Sequence, residues 1–301
     1  MSQELVSAAI LKTLIYHDLF AYPLTPEEIY RWLISPQRIS QDNFLTTLGQ
    51  MVGKKLVETY RGEYFFLPGR QEIVTTRQNR QLSSLKKKQR AKILSWLARI
   101  IPWIKLVGIS GALSMENSDE NDDIDWVIIT SPHRLWISRA CLVSLLLIFG
   151  QYRRPTKIKD RICPNVWLTL DNLKFPDSQR NLFLAHEIAQ MRPLWSRNYT
   201  YEGFLKENGW VDKFLVNFYQ TQKPERKNPS PSSQFKPERR IPIISLAIDD
   251  LDSLFEIGQR SLMAKKVTTE TIGEGILKLH PQDVSSRILM AYQQKVDSLL
   301  S

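Results

Sequence analysis

The chain has 301 residues, and 41 lysine and arginine residues against 31 aspartate and glutamate residues give a formal net charge of +10. Hydrophobic residues make up 43% of the chain and charged residues 24%, which excludes a collagenous or wholly disordered protein. The length predicts about two to three domains with cores of their own. The positive charge is compatible with nucleic acid or another anionic ligand, so its distribution along the chain matters.

Cysteine content and hydropathy bear on the compartment. Cys141 and Cys163 each lie in an apolar stretch, and they form neither a disulfide framework nor part of a Cys/His cluster with zinc-ligand spacing. The first 20 residues have the apolar period of a helix and lack the basic segment and cleavage site of a signal peptide. The longest apolar run, residues 140–149, is shorter than the ~20 residues that span a bilayer. We therefore predict a cytoplasmic protein without a membrane partner.

Residues 1–80 predict three short helices followed by a β-hairpin. Thr25 is predicted as an N-cap, with Pro26 at the first helical position and Glu28 at the capping-box position. A turn at residues 61–63 separates two short runs with strand character. The predicted elements are helices over residues 5–20, 26–33 and 40–53 and strands over residues 55–60 and 64–67. This order resembles a winged helix.

A winged helix usually suggests DNA binding, but the charge of this segment disfavours it. Residues 1–80 have a net charge of only +1. The third helix is predicted to present a face without lysine or arginine, formed by Gln41, Asp42, Asn43, Thr46, Thr47 and Gln50. Phosphate contacts from basic side chains dominate affinity for DNA. Nucleic acid remains an alternative partner, and a packing or protein-interaction module is favoured over a DNA-binding regulator.

The sequence pattern in the middle of the chain predicts a small mixed α/β core. The predicted order is a helix over residues 83–100, strands over 104–109 and 124–130, a helix over 135–149 and a strand over 162–170. Residues 101–130 have a net charge of −5, and the segments on either side each have +6. The lysine run at residues 86–88 is predicted to be a solvated helix face.

The C-terminal half predicts mainly helices. Residues 181–220 have helical spacing, residues 223–240 form a Pro/Ser/charge-rich linker, and helices are predicted near 245–264 and 282–299. The predicted fold class is α+β (mixed α/β), with a winged helix, a minimal α/β core and a helical C-terminal region. The predicted units are residues 1–80, 81–175, 176–222, a flexible linker over 223–240, and 241–301.

Two carboxylates lie on one face of the predicted strand 124–130. Because side chains alternate along a strand, Asp123 and Asp125 project together while their apolar neighbours face the other side. Mg²⁺ prefers hard oxygen donors, and at phosphate sites it takes one or two carboxylates plus substrate oxygens. The turn at Ser110-Gly111 after the preceding strand lets backbone N–H groups approach a triphosphate closely. The arrangement predicts a metal and phosphate site.

This pattern resembles the nucleotidyltransferase superfamily of DNA polymerase beta and the aminoglycoside nucleotidyltransferases. Gly111-Ala112, a ten-residue spacer and Asp123-Ile124-Asp125 match the spacing of that family over roughly residues 83–170. The resemblance implies that Asp123 and Asp125 are catalytic Mg²⁺ ligands. It implies that Ser110, Gly111 and Ser114 bind the nucleotide. The implied reaction transfers a nucleoside monophosphate from an NTP to a hydroxyl-bearing acceptor.

The sequence departs from that family at two positions. Ala112 stands where a serine usually follows the glycine, and Asn165 stands at the third carboxylate, where its carbonyl oxygen could still bind a metal. A replacement carboxylate could come from Asp160, Asp171 or Glu187. The alternative hypothesis is therefore a catalytically lapsed protein of this fold that binds nucleotide and regulates a partner. For His186-Glu187, a polar helix face is favoured over a general base.

Overall fold

A computed structural model describes residues 3–221, 242–264, 271–273, 275–278 and 284–300, with side chains omitted at 242–249, 262–264 and 271–272. The fold is mixed α+β, as predicted. The predicted linker at residues 223–240 lies outside the described residues. Within the described ranges, no helix combines the length and apolar character needed to cross a bilayer.

The N-terminal segment has the predicted order of three helices and a hairpin. Its elements are α1 (Gln3–Asp18), α2 (Pro26–Arg31), α3 (Gln41–Gly53), β1 (Glu58–Tyr60) and β2 (Tyr64–Phe66). β1 and β2 pair in antiparallel fashion, and Leu24 forms an isolated bridge to Phe65 on the other side of β2. The assignment of this segment as a winged helix stays a prediction.

Helix α2 begins with the predicted capping box. The Glu28 backbone N–H donates to Thr25 Oγ1 at 3.3 Å, and the Thr25 backbone N–H donates to Glu28 Oε2 at 2.9 Å. We expect Thr25→Ala to lower the free energy of unfolding by about 1 kcal/mol, because one N–H at the helix start loses its acceptor. Urea denaturation measures this, with Thr46→Ala on the exposed face of α3 as the control. An equal loss in both variants would contradict the capping role.

Helix α3 presents a face without basic residues. Gln41, Asp42, Thr46 and Gln50 have exposed or solvent-facing positions, whereas Thr47 is buried, contrary to its predicted exposure. Thr47 lies one residue before the buried Leu48 and turns toward the core with it. No lysine or arginine lies in α3, so this face offers no cation for phosphate.

The central elements follow the prediction closely, apart from the first helix. They are α4 (Glu72–Arg99), β3 (Ile104–Ile109), α5 (Gly111–Ser114), β4 (Ile124–Thr130), α6 (Leu135–Ile148) and β5 (Ile162–Thr169). Helix α4 begins at Glu72 rather than at residue 83, so the predicted boundary between residues 80 and 81 falls within one continuous helix. Ile73, Val74 and Arg77 are buried, so packing against the N-terminal segment stabilises these extra turns.

The C-terminal part contributes strands as well as helices. Its elements are α7 (Leu182–Gln190), β6 (Arg192–Ser196), α8 (Thr200–Glu207), α9 (Phe218–Thr221), α10 (Pro242–Ala264), β7 (Thr271–Gly273), β8 (Ile276–Lys278) and α11 (Val284–Leu300). Among the described residues, these strands complete a six-stranded sheet of order β6-β3-β4-β5-β8-β7. Only β4 and β5 are parallel neighbours there; the other pairs are antiparallel.

Residues 176–222 and 241–301, which were predicted to be helical, also contain strands of this sheet. Strand β6 pairs along β3, and β8 pairs along β5. These short strands obtain their hydrogen bonds from sequence-distant neighbours, so local helical spacing did not indicate them. Pro193 within β6 also has no N–H, which confines it to positions where no ladder donor is needed.

The N-terminal helices pack on the core rather than standing apart from it. Residues of α1, α2 and α3 share one hydrophobic cluster with one face of the six-stranded sheet. Trp32 stacks on Phe218 with ring centroids 5.8 Å apart, and Asn217 Nδ2 donates to the Tyr30 carbonyl at 2.9 Å. Helix α1 is therefore placed to line a cavity over that sheet face.

Candidate functional site

The two predicted aspartates meet donors from the neighbouring parallel strand. Asp125 pairs in register with Cys163, so their side chains share a sheet face. The pairing then shifts by one residue, which makes Asn165 the extra residue of a β-bulge on β5. The buried Asn165 donates its side-chain N–H to Asp125 Oδ1 at 2.7 Å. The bulge thus directs Asn165 onto the carboxylate that it was predicted to accompany.

The glycine turn lies directly against Asp125. The Ser110 backbone N–H donates to the Asp125 carbonyl at 3.2 Å. Gly111 has φ = +59°, in the left-handed region, and a Cβ built there would lie 3.4 Å from Asp125 Oδ2. Glycine suits this position because it adopts that conformation without steric cost and leaves the space beside the carboxylate open. The structure therefore brings together the turn and the second aspartate of the predicted motif.

The predicted phosphate-binding residues have different environments. Ser110, Gly111 and Ala112 line the large cavity described below. Ser114 is fully buried and is not among the residues that line the cavity, and its hydroxyl donates to the Gly111 carbonyl at 2.7 Å. Ser114 therefore supports the turn from within, whereas Ser110 lines the cavity.

A cavity of about 920 Å³ opens beside the glycine turn and Asp125. The sheet provides its floor through Asp125 and apolar neighbours, while α1 and α7 provide the opposite walls. The aromatic side chains that line the cavity are Tyr16, Phe20, Tyr22, Phe175, Phe183 and Phe204. A cavity of this size, with apolar walls and a few charged groups, has the form of a small-molecule site.

Glu187 on α7 lines the same cavity as Asp125. Burial raises the pKa of Glu187 to about 7, and the nearby Lys278 ammonium opposes that rise. Burial in turn lowers the pKa of Lys278 to about 8. The other two candidate carboxylates lie elsewhere, because Asp160 binds the Lys87 ammonium at 2.8 Å and Asp171 is exposed outside the cavity lining. Of these three candidate carboxylates, Glu187 is the one that lines the cavity.

Negative charge is concentrated around Asp125. Burial, together with the charges of Asp123 and Glu187, raises the pKa of Asp125 to about 8, although the Arg153 guanidinium opposes this rise. Arg153 Nε lies 2.9 Å from Asp123 Oδ2. Burial and the two aspartates also raise the pKa of the Cys163 thiol. A divalent cation bound here would offset the repulsion between these groups, and carboxylate oxygens are suitable ligands for it.

Two buried histidines near the cavity have structural contacts. His186 stacks on Tyr16 with centroids 4.0 Å apart, and Gln190 Nε2 lies 3.0 Å from its Nδ1. Burial lowers the pKa of His186 and lowers that of His17 to about 4. Both rings are therefore neutral near pH 7. The prediction of a polar helix face was wrong for His186, because its ring is buried against Tyr16.

Several residues at the site were not anticipated from the sequence. Cys163 lies two positions before Asn165 on β5, so strand alternation could have placed it on the same face. Lys278 on β8 and Tyr16 on α1 reach the cavity from distant parts of the chain. No local motif marks them, because their placement depends on strand pairing and helix packing.

Comparisons with known proteins give little further guidance. No protein-family model matches the chain, and no curated protein matches it. A solved structure described as "Crystal structure of the toxin-antitoxin with AMP-PNP" is similar at 19% sequence identity and a TM-score of 0.26. That match covers 44% of this chain and 91% of the other. A TM-score this low establishes no shared fold, so the site's own residues must carry any assignment of function.

Proposed function

We propose that the protein transfers a nucleoside monophosphate from an NTP to a hydroxyl-bearing acceptor. The observation that carries this proposal is the contact of the Gly111 turn with Asp125 at the edge of a cavity that Glu187 also lines. A glycine turn offers backbone N–H groups to phosphate, and the aspartates offer oxygen ligands to a cation. Together they would hold a nucleoside triphosphate.

Asp123 and Asp125 are the residues that would hold the divalent cation, predicted to be Mg²⁺. When bound, such a cation would neutralise phosphate oxygens and favour the ionised form of the acceptor hydroxyl. Ser110 and the backbone around Gly111 would bind phosphate oxygens. Arg153 pairs with Asp123 and is partly exposed. It would supply a further positive charge beside the aspartates. The aromatic walls would receive the base.

Glu187 would act as the general base in this reaction. The acceptor oxygen forms a bond to the α-phosphorus, the bond from that phosphorus to the pyrophosphate oxygen breaks, and the hydroxyl proton passes to the Glu187 carboxylate. A base with a pKa near 7 is well matched to proton transfer at neutral pH, and burial raises the pKa of Glu187 to about 7. Glu187 would thus replace the third carboxylate of the predicted site, whose position is occupied by Asn165.

Calorimetric titration with each NTP and Mg²⁺ tests the proposed site. We expect Asp123→Asn and Asp125→Asn each to weaken metal-dependent nucleotide binding by at least about 10-fold, because a direct ligand contributes no less than the supporting groups around a metal. The exposed Asp171→Asn variant is the matched control, since Asp171 lies outside the cavity lining. Unchanged NTP binding in both site variants would reject the assignment.

A second function, nucleotide binding without catalysis, is favoured by Asn165. Its side chain donates to Asp125 and brings no negative charge to the site. Asn165→Asp separates the two hypotheses when transfer is followed with radiolabelled NTP and a mixture of hydroxyl acceptors. Activity gained only in the variant would indicate a lapsed enzyme, whereas an active wild type would exclude that hypothesis.

A further inference from the structure

Cys163 provides a third donor beside the two aspartates. One ligand atom from each of Asp123, Asp125 and Cys163 lies within 4.8 Å of the other two. Cys163 pairs directly with Asp125 across the parallel strands, and its thiol hydrogen-bonds to the Asp123 carboxylate. All three side chains are partly buried. Strand register fixes the approach of Cys163 to Asp125, and Asp123 immediately precedes β4, so the three donors lie close together before any ion arrives.

This donor set differs from the one that Mg²⁺ prefers. Mg²⁺ takes oxygen ligands in near-octahedral geometry, whereas a thiolate selects softer cations such as Zn²⁺. Asn165 is engaged with Asp125 through its amide N–H, and the neighbouring strand position that faces both aspartates is the cysteine. Two carboxylates and one thiolate would match the total charge of three carboxylates, but with a different preference among metals.

We infer that Cys163 is the third protein ligand of the cation held by Asp123 and Asp125, and that this site takes a thiophilic divalent cation, represented biologically by Zn²⁺, in preference to Mg²⁺. Three protein ligands with an open position are typical of catalytic rather than structural zinc. Asp125 borders the cavity, and Gly111 leaves the adjoining space free of a side chain. Asp125 thereby brings this donor set to the border of the cavity.

Binding changes the partners of two groups. The Cys163 thiol loses its proton to solvent as the sulfur–metal bond forms. Arg153 releases Asp123 Oδ2, which it can do because its side chain is 42% exposed. This inference rests on the proposed function for the role of the two aspartates, but it changes the cation they hold. Metal binding can be measured without any nucleotide, so the metal-site inference and the proposed function can fail separately.

Cadmium titration gives a direct readout of a metal–thiolate bond. We expect Cd²⁺ to produce the ultraviolet sulfur-to-cadmium charge-transfer band in the wild-type protein, with excess Mg²⁺ failing to remove it. Cys163→Ser should abolish the band and weaken Zn²⁺ binding by at least about 10-fold in calorimetry. Cys141→Ser is the matched control, because Cys141 is the other cysteine of the chain and does not belong to this donor group.

The outcomes separate this inference from the proposed function. A band that is absent from the wild type, persists in Cys163→Ser or disappears in Cys141→Ser would overturn the role of Cys163. Loss of the band in Asp125→Asn, with circular dichroism unchanged, would support a shared site. If the band is absent but Mg²⁺-dependent NTP binding remains, the proposed function stands without this ligand. If the band is present without NTP binding, the metal site stands alone.

Discussion

Replacing Glu187 by glutamine is expected to lower the rate of nucleotidyl transfer by about 10²- to 10⁴-fold while NTP binding stays within a few-fold of the wild type. Glutamine keeps the size of the side chain but cannot accept the hydroxyl proton. Glu187 lines the cavity from α7, and Asp125 lines it from the sheet. Single-turnover transfer measures the rate, and calorimetry measures NTP affinity.

The matched control for this variant is Glu202→Gln. Glu202 is an exposed glutamate on α8 outside the cavity lining, so its variant should transfer at the wild-type rate. A parallel loss of binding and rate in Glu187→Gln would instead indicate a role in holding substrate. An unchanged rate would remove Glu187 from the mechanism and leave the acceptor hydroxyl without an identified base.

The pH profile provides an independent check on Glu187. A base works in its deprotonated form, so the wild-type transfer rate should rise with pH and be half-maximal near the pKa of about 7 that burial gives Glu187. The charged or titratable groups that interact with this carboxylate are Lys278 on β8, Asp125 on β4 and Tyr16 on α1. In Glu187→Gln this rise should disappear from the residual rate. A rise that persists would assign it to another group.

Local patterns were enough to predict the centre of the fold. Strands β3 and β4 have the predicted bounds, because each is a short apolar run between turn residues. The same runs fix the alternation that places Asp123 and Asp125 together. The contact of Gly111 with Asp125 then follows from the pairing of two strands adjacent in sequence. This part of the site is therefore encoded almost entirely within residues 104–130.

The walls of the cavity depend on contacts that local patterns do not contain. Tyr16 and Lys278 come from opposite ends of the chain, and they meet only because α1 packs over the sheet and β8 joins its edge. The early turns of α4 are similar, since Arg77 is buried through bonds to Glu28 and to the Pro23 carbonyl. Tertiary contacts overrode a weak local helical signal in that segment.

Lys87 illustrates how a charge run can conceal a buried residue. The run at residues 86–88 was predicted to be solvated, but only Lys86 is exposed, and Lys87 is 2% exposed. Its ammonium donates to the carbonyls of Glu120 and Asp122 at 3.2 and 2.6 Å. It also binds Asp160 Oδ1 at 2.8 Å. Lys87 thereby holds the loop over residues 119–122, which precedes Asp123, against α4.

Replacing Lys87 by methionine is expected to lower the free energy of unfolding by about 2–4 kcal/mol, because buried acceptors lose their donor. We do not expect the largest loss of stability that breaking a buried ion pair can cause, since the Asp160 side chain is 36% exposed and water can reach it. Lys86→Met is the matched control, one residue away on the same helix but exposed. Urea denaturation measures both.

The same variant should also weaken metal binding at Asp123 by about 10-fold, as loss of a group that orients a ligand typically does. The loop carbonyls of Glu120 and Asp122 are held on α4 by this ammonium, and without it the backbone before Asp123 is less constrained. Calorimetry with Zn²⁺ and Mg²⁺, at temperatures where the variant is folded, gives the readout. A destabilised Lys87→Met protein with unchanged metal affinity would show that Lys87 stabilises the fold without positioning the site.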